Sequence, residues 1–583
     1  MAFTKGTRLH APGGGLKPSI VRAEFRIVIE RFLSLAVLGA AYPANTSRNG
    51  SGDWTTEKYD AIIVGAGTTG IIVADRLSEA GKKTLLLELG GASYSIVGGQ
   101  EKPAWLDGTG LSRVDVPGLY STIFSHPSDM ICDADTVLGY QACTVGGNSA
   151  INAGLYFQPP DSDWDEFHPD GWKSADVKDA TQRLLARQPA VTHCSTDGKF
   201  YLETAFDAAK EWIVDGAGFK NVGINDEYNN KDNVFGRTEY NYIDGQRGGP
   251  TRTYLQTALK RSNFRLQTGV RVKYINHVAG AASGVTAIVD GKTVEISVAT
   301  GGRVVLSAGA LASPGLLMHS GIGPLDTLTR MAAANFTPYT VASWVPQPAV
   351  GEGLFDNPNT FIQMSSPSVK AELYDYDSPS EEDKENYIKS RSGTYAFASQ
   401  SSVFWGFIDH EDGTRGGCQG TIASTGHGEF TDNHTITLNV YGTSGMATLG
   451  RVTLSDDGKF VPGYSDGIYY KDPRDANDIA KFIYNIFQPA KEGLTPLNMN
   501  QNWTVAEIQE YITTPSDYAV GAVNHWSSSC RIGKCVDTDT TVIGTQNIHV
   551  IDASIIAPLT VNPQFGAMVA GEKGAERVLA LMK

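Results

Sequence analysis

The sequence predicts an α/β protein in which a Rossmann-like dinucleotide-binding domain is interleaved with a second domain built on a mainly antiparallel sheet. Three observations carry this prediction. A glycine-rich strand-to-helix turn follows Tyr59, sheet-like apolar runs are scattered from residue 58 to the C-terminus, and the region from about 340 to 520 has alternating segments and acidic loops.

The first element is the apolar run that begins at Tyr59 and ends at Gly65, which reads as a buried parallel strand. Ile71–Ala80 reads as a helix stopped by Gly81, and Thr84–Glu88 as the next strand, completing a βαβ start. Further strands are expected at Arg303–Ser307 and Asn547–Asp552, and a final helix at Gly566–Leu581. The middle differs in texture: Asp375–Glu385 reads as an acidic, Ser-containing loop, and Thr435–Tyr441 (TITLNVY) as a strand of an antiparallel sheet with one exposed face. The dinucleotide-binding domain is therefore expected at 58–155, 220–335 and 525–583, and the second domain at 156–219 and 336–524. Residues 1–57 are expected to form a signal-like or disordered leader.

Composition narrows the function. The chain carries 63 Asp+Glu against 48 Lys+Arg, a formal charge of −15, which argues against nucleic-acid binding because that needs a basic face. Its 64 glycines in 583 residues show no Gly-X-Y period, so they belong to turns and not to a fibre or linker. Phe32–Tyr42 is an 11-residue apolar run behind Arg26 and Arg31, the length of a signal-peptide core and too short to span a bilayer. With sequons at Asn45, Asn49, Asn335, Asn433 and Asn502, it points to secretion and glycosylation, and no membrane span is expected. Six cysteines are too few for a disulfide scaffold, the Cys530/Cys535 spacing allows one loop-closing bridge, and no metal site is expected.

Gly65, Gly67 and Gly70 give Gly-X-Gly-X-X-Gly at the strand-to-helix junction, and Glu88 ends the next strand 18 residues after Gly70. The first glycine permits the tight turn, the second lets backbone approach a pyrophosphate at the helix N-terminus, and the carboxylate can accept from an adenosine ribose. These residues indicate a dinucleotide without separating FAD from NAD.

Two longer segments separate them. Ala142–Tyr156 (ACTVGGNSAINAGLY) and Gly309–Gly323 (GALASPGLLMHSGIG) closely resemble the two signatures of the glucose-methanol-choline (GMC) oxidoreductase family, which are FAD flavoproteins. The second matches throughout; the first departs at Asn148, where the family usually has a small residue, so local flavin contacts are expected to differ. Val350–Pro358 (VGEGLFDNP) is similar to another family turn, and the resemblance extends over roughly residues 58–583. Within the family the chain resembles the flavin domain of cellobiose dehydrogenase through Tyr201–Phe206, Asp232–Gly236, Gly249–Leu259 and Asn562–Gln564.

The resemblance implies the site. His525, in Asn524-His525-Trp526, is the expected base that takes the hydroxyl proton as the C–H bond breaks, and a neutral imidazole suits that role. Asn562 stands where many members have a second histidine, so it would orient the hydroxyl without accepting the proton. Gly65, Gly67, Thr68, Thr69, Gly70 and Glu88 would hold the phosphates and ribose. Asn152, Ala153, Gly154 and Leu155 would pass the flavin ring, and Gly147, Pro563 and Gln564 are further cofactor-binding positions. Val272 would meet the adenine, and Ala308, Asp552 and Ala553 would lie along the ribityl-pyrophosphate. Some relatives attach the flavin through a histidine at the position of Asn152; the amide here implies non-covalent FAD. Glu203, Phe206, Arg451 and Asn524 match sugar-binding positions of the relative, whereas Val523 replaces a serine. Only about 57 residues precede the flavin domain, too few for an upstream haem domain, so the electron acceptor (quinone, oxygen or a redox protein) is expected to reach the flavin itself.

The leading expectation is thus an FAD-dependent dehydrogenase that oxidises the anomeric carbon of a cellobiose-like β-pyranose to a lactone. The alternatives are a GMC enzyme acting on a non-sugar, aryl or secondary-metabolite alcohol, and a non-catalytic dinucleotide-binding protein, against which His525 and Asn562 argue.

Overall fold

A computed structural model describes residues 53–582 apart from 124–129, 133–138, 457, 464–466 and 489–492. The apolar run at 32–42 and the sequons at Asn45 and Asn49 lie outside the described residues.

The Lys58–Val64 strand pairs in parallel with Thr84–Leu87 on one side and with the end of the long Lys292–Leu306 strand on the other. Phe264–Gln267 extends the parallel set beyond Thr84–Leu87, and Ile548–Val550 lies parallel against residues 304–306. The first half of the long strand turns antiparallel and continues the sheet through Ala281–Val289 and Val270–Val278, giving seven strands. Ile62, Ile63, Leu85, Leu86, Val304 and Val305 are fully buried, as a sheet covered on both faces requires. The helices Thr68–Glu79 and Gln564–Leu581 pack on it and on each other.

A second sheet of eight strands is mainly antiparallel. Its centre is formed by Pro358–Ser365, Thr435–Gly442, Arg415–Ala423 and Gln400–Asp409. Thr435–Gly442 departs from its expected exposed face. Ile436, Leu438 and Val440 pack into a core with Ile362, Ile479 and Ile483, while the opposite face, with Thr437, Asn439 and Tyr441, turns inward to a cavity. The polar half of the alternation therefore lines an interior wall. The acidic stretch also differs: Glu381–Ser390 is a helix, because Ser380 accepts from Asp383 N and three acids occupy the first turn, where the helix dipole favours them.

Three expected domain boundaries shift. Lys220–Asn221 and Val234–Arg237 belong to the second sheet, where Phe235 pairs with Phe404 and joins the second core. Conversely, Asp161–Phe167 and Ser174–Arg187 lie in the first core, into which they send Trp164, Val177 and Leu184. The small sheet of Glu352–Leu354, Gly450–Leu454 and Phe460–Pro462 packs there too, through Leu354, Val452, Leu454 and Phe460. In each case burial of a few large apolar side chains decides the partner, and sequence position does not.

Cys530 and Cys535 are bridged, and so are Cys132 and Cys143, which an isolated bridge between Ile131 and Ala142 brings together. Among the described residues no helix is long and apolar enough to cross a membrane.

Two staples of the first core are charged. The side chain of Glu572 is fully buried and accepts from Arg76 Nη2 at 2.8 Å, Arg183 Nε at 3.1 Å and Tyr254 Oη at 2.6 Å. Asp75 does the same for Arg187 and Arg261. Glu572→Ala would remove the buried acceptor shared by Arg76, Arg183 and Tyr254 while leaving Arg76 paired with Glu79 and Arg183 with Glu576, so a loss of about 3 kcal/mol in urea unfolding, the low end for breaking a buried pair, is expected; a loss below about 1 kcal/mol would show that water replaces the carboxylate.

Candidate active site

The cavity between the sheets has a volume of about 1190 Å³. That exceeds the ~300–1,000 Å³ of a pocket for one drug-sized ligand and leaves room for a large cofactor and a substrate together. Its first part is made of backbone. Gly65 has φ +103°, and a Cβ there would lie 2.4 Å from Ser307 O. At Gly147, φ +56°, a Cβ would stand 2.7 Å from Gly67 Cα. The two backbones thus meet at the N-terminus of the Thr68–Glu79 helix, whose cap residue Gly67 offers no side chain. Unpaired N–H groups and the positive end of the helix dipole are left for a pyrophosphate.

Glu88 closes this end. Its Oε2 accepts from Ala66 N at 2.8 Å and its Oε1 from Gly90 N at 2.9 Å, which fixes the carboxyl while leaving lone pairs over. Burial raises its pKa, opposed by those backbone N–H groups. Val270 N donates to Glu88 O, so Val272 opens on the same end. Farther along, Asp552 accepts from Gly309 N at 2.9 Å, Ser313 Oγ at 2.5 Å and Ser554 N at 2.8 Å, tying the Ala308 and Ala553 turns to one carboxyl. Thr68, Thr69, Ala153, Leu155 and Pro563 also line the cavity. Gly70 and Gly154 are not part of its lining. A Cβ at Gly70 would lie 2.0 Å from Gly65 O, and one at Gly154 2.4 Å from the Tyr242 ring, so both shape the turn from behind. Asn148 Oδ1 accepts from Ala142 N at 2.8 Å, and this larger residue therefore holds the preceding segment.

At the other end Asn152 Nδ2 donates to Gln564 Oε1 at 2.5 Å and Asn152 Oδ1 accepts from Gly154 N at 2.9 Å. Gln564 Nε2 reaches Leu155 O at 3.4 Å. The glycine cleft, the ribose acceptor and this amide row fit a flavin dinucleotide.

His525 and Asn562 converge beside them, with Asn562 Nδ2 3.3 Å from His525 Nε2. The partners determine the tautomer. Asn357 Nδ2 donates to the carbonyl of Gly442 at 2.6 Å, so its Oδ1 faces His525 Nδ1 at 2.8 Å and must accept. Nδ1 therefore carries the hydrogen and Nε2 is the free base. Asp356 grips the backbone: Oδ1 accepts from His525 N at 2.7 Å, and Oδ2 from Asn524 N at 3.2 Å and Tyr469 Oη at 2.5 Å. Burial pushes this carboxyl up to about 6 and lowers His525 to about 3. Neither Asp356 nor Asn357 stood out in the sequence, although both lie in the quoted Val350–Pro358 turn. A carboxylate and an amide just before a proline in a family turn were the available signal.

The expected sugar set is divided. Asn524, with φ +64°, lines the cavity, as does Val523. Glu203, Phe206 and Arg451 do not. Glu203 is engaged by Arg237 Nη1 at 2.6 Å and Nη2 at 2.9 Å, and that guanidinium lies 3.8 Å over the rings of both Phe200 and Phe206. Phe206 is core, and Arg451 sits on the small sheet opposite Glu352. The wall facing His525 comes instead from the second sheet: Asn359, Phe361, Gln400, Thr421, Thr437, Asn439 and Tyr441, with no charged side chain.

GMC oxidoreductase sequence profiles match residues 59–359 and 447–571. The chain belongs to the GMC oxidoreductase family, the FAD-dependent enzymes acting on CH–OH donors. It is similar to the chloroplastic fatty acid photodecarboxylase of Chlamydomonas reinhardtii, with 25% identity over 94% of this chain and 93% of that one. It is 26% identical to the oxygen-dependent choline dehydrogenase of Vibrio vulnificus strain YJ016, over 90% and 94%. Among solved structures, pyridoxine 4-oxidase from Mesorbium loti superposes with a TM-score of 0.68 at 19% identity, covering 89% and 99%, a likeness of fold.

Because burial disfavours the imidazolium, His525 Nε2 is free to accept a proton throughout the neutral and mildly acidic range. The rate of substrate-driven flavin reduction should have no limb near the ordinary histidine pKa of ~6.5. Any acidic limb centred near Asp356's value of about 6 should vanish in Asp356→Asn; one that survives there would mark His525 as an ordinary solvated imidazole.

Proposed function

We propose that this protein is a secreted, FAD-dependent dehydrogenase that oxidises the anomeric C1–OH of a cellobiose-like β-pyranose to a lactone, with FAD held non-covalently. The uncharged wall opposite His525 carries this reading: amides, hydroxyls and aromatic rings suit a neutral molecule with several hydroxyl groups, and no side chain of that wall would form an ion pair with a charged one. Phe361 is stacked with His427, centroids 4.6 Å apart, which supports a site for the apolar face of a ring.

When bound, the flavin supplies the acceptor for the hydride that leaves C1. The chain's own residues handle the proton. The substrate hydroxyl sits between Asn562 Nδ2, from which it accepts, and His525 Nε2, to which it donates. An imidazole lowered to about 3 is too weak a base to form an alkoxide beforehand, so proton transfer accompanies C–H cleavage. Asn357 keeps Nδ1 protonated and so keeps Nε2 available.

Non-covalent binding is supported by Asn152, an amide with no nucleophilic character, whose nitrogen is bonded to Gln564. Secretion is supported by the bridges Cys132–Cys143 and Cys530–Cys535 and by the exposed sequons at Asn433 and Asn502.

A second reading, a non-sugar alcohol, is favoured by the names of two relatives, a choline dehydrogenase and a pyridoxine 4-oxidase, and by the seclusion of Glu203 and Arg451. Anaerobic mixing decides between them. Cellobiose, lactose or glucose is expected to bleach the flavin absorbance. Bleaching by a benzylic alcohol and by none of the sugars would replace the first reading with the second. His525→Ala should retain FAD and slow bleaching by about 10²–10⁴-fold; an unchanged rate would reject His525 as the base.

A further inference from the structure

Asn562 sits on a strap, residues 556–563, that joins the short turn Ala553–Ile555 to the helix Gln564–Leu581 and lies outside regular helix and strand. A buried strap of this kind has no ladder of its own, so its polar groups must be met by other segments. Two residues at the Asp161–Phe167 helix meet the central ones. Asp163 Oδ2 accepts from Thr560 N at 2.7 Å, and Asp163 Oδ1 from Thr560 Oγ1 at 2.6 Å. His168 Nε2 accepts from Ala557 N at 3.2 Å, while His168 Nδ1 donates to Asp163 O at 3.1 Å. The carbonyl can only accept, so this imidazole has one tautomer, and burial lowers it to about 4, which keeps it neutral.

The second sheet holds the other side of the same residue. Thr560 Oγ1 accepts from Ser444 Oγ at 2.8 Å, Thr560 O accepts from Trp405 Nε1 at 3.1 Å, and Asn562 Oδ1 accepts from Gln419 Nε2 at 2.7 Å. Thr560 is thus fixed through its N–H, its hydroxyl and its carbonyl, two residues before Asn562. Two residues of chain span at most about 7 Å, which leaves Asn562 little play.

We propose that Asp163, with His168, is a positioning residue for catalysis: it sets the strap so that Asn562 Nδ2 meets the substrate hydroxyl beside His525 Nε2. The inference rests on the proposed role of Asn562 and not on which alcohol is oxidised. Asp163 touches neither substrate nor cofactor and acts through Thr560.

The test uses the FAD-loaded full chain, reduced anaerobically by cellobiose, or by benzyl alcohol if the sugars fail. Asp163→Asn should keep its FAD and slow flavin reduction about 10- to 100-fold, the scale of a small misplacement of a reacting group. In an Asn562→Ala background the same substitution should cost less than about twofold more, because the residue it acts through is gone. Independently of turnover, amide exchange should accelerate in residues 556–563 and remain as in wild type in the Gln564–Leu581 helix. If Asp163→Asn does not fold, Thr560→Val, which removes only the hydroxyl contacts, carries the same expectations. Equal losses in both backgrounds would make Asp163 a general structural residue, and wild-type rates in both Asp163→Asn and Thr560→Val would overturn the proposal. If slowing in Asn562→Ala itself is absent, the role assigned to Asn562 fails first, and the clamp with it.

Discussion

The approach of Gly67 to Gly147, backbone against backbone, is the constraint on which the rest of the molecule depends. A dinucleotide pyrophosphate can reach the N–H groups of the Thr68–Glu79 helix only if no side chain intervenes from either segment. That requirement ties the first βαβ unit to the Gly146–Asn152 segment some 80 residues later. It also explains why Ser307 and Asp552 lie just beyond the ends of strands parallel to the first: Gly65 must lie against Ser307 O, and Asp552 must hold the Gly309 turn. A sheet assembled from residues 58 to 550 is the price of aligning these ends.

The reacting end is assembled differently. His525 is oriented by Asn357 and Asp356 from the Val350–Pro358 turn, while Asn562 is oriented by Gln419 of the second sheet and by Asp163 of the first core. The imidazole ring itself meets two amides, Asn357 and Asn562, and this has an electrostatic consequence: no carboxylate contacts the ring, so nothing offsets the desolvation that keeps it uncharged.

Much of this was legible in the sequence because it is local. The strand from Tyr59, the helix after Gly67 and the position of Glu88 follow from contiguous motifs, whereas His525 and Asn562, 37 residues apart, were candidates only through the family resemblance. What was not legible depends on competition between distant residues. Glu203 carries the right chemistry for a hydroxyl group, but Arg237 claims it and is itself sandwiched by Phe200 and Phe206. Asp161–Phe167 changed core because Trp164 found room beneath the first sheet, and Val234–Arg237 because Phe235 found Phe404. The Cys132–Cys143 bridge depends on a chain reversal that spacing alone does not encode.

Thr435–Gly442 separates two duties by parity. Residues 436, 438 and 440 belong to the core, and 437, 439 and 441 to the cavity wall. The same division runs through Pro358–Ser365, where Ile362 and Met364 alternate with Asn359 and Phe361. Side chains of opposite parity do not touch across a pleat, so selection can rewrite what the enzyme recognises at one set of positions while the fold is inherited through the other. A family built on this sheet can diversify its substrates without renegotiating its stability each time.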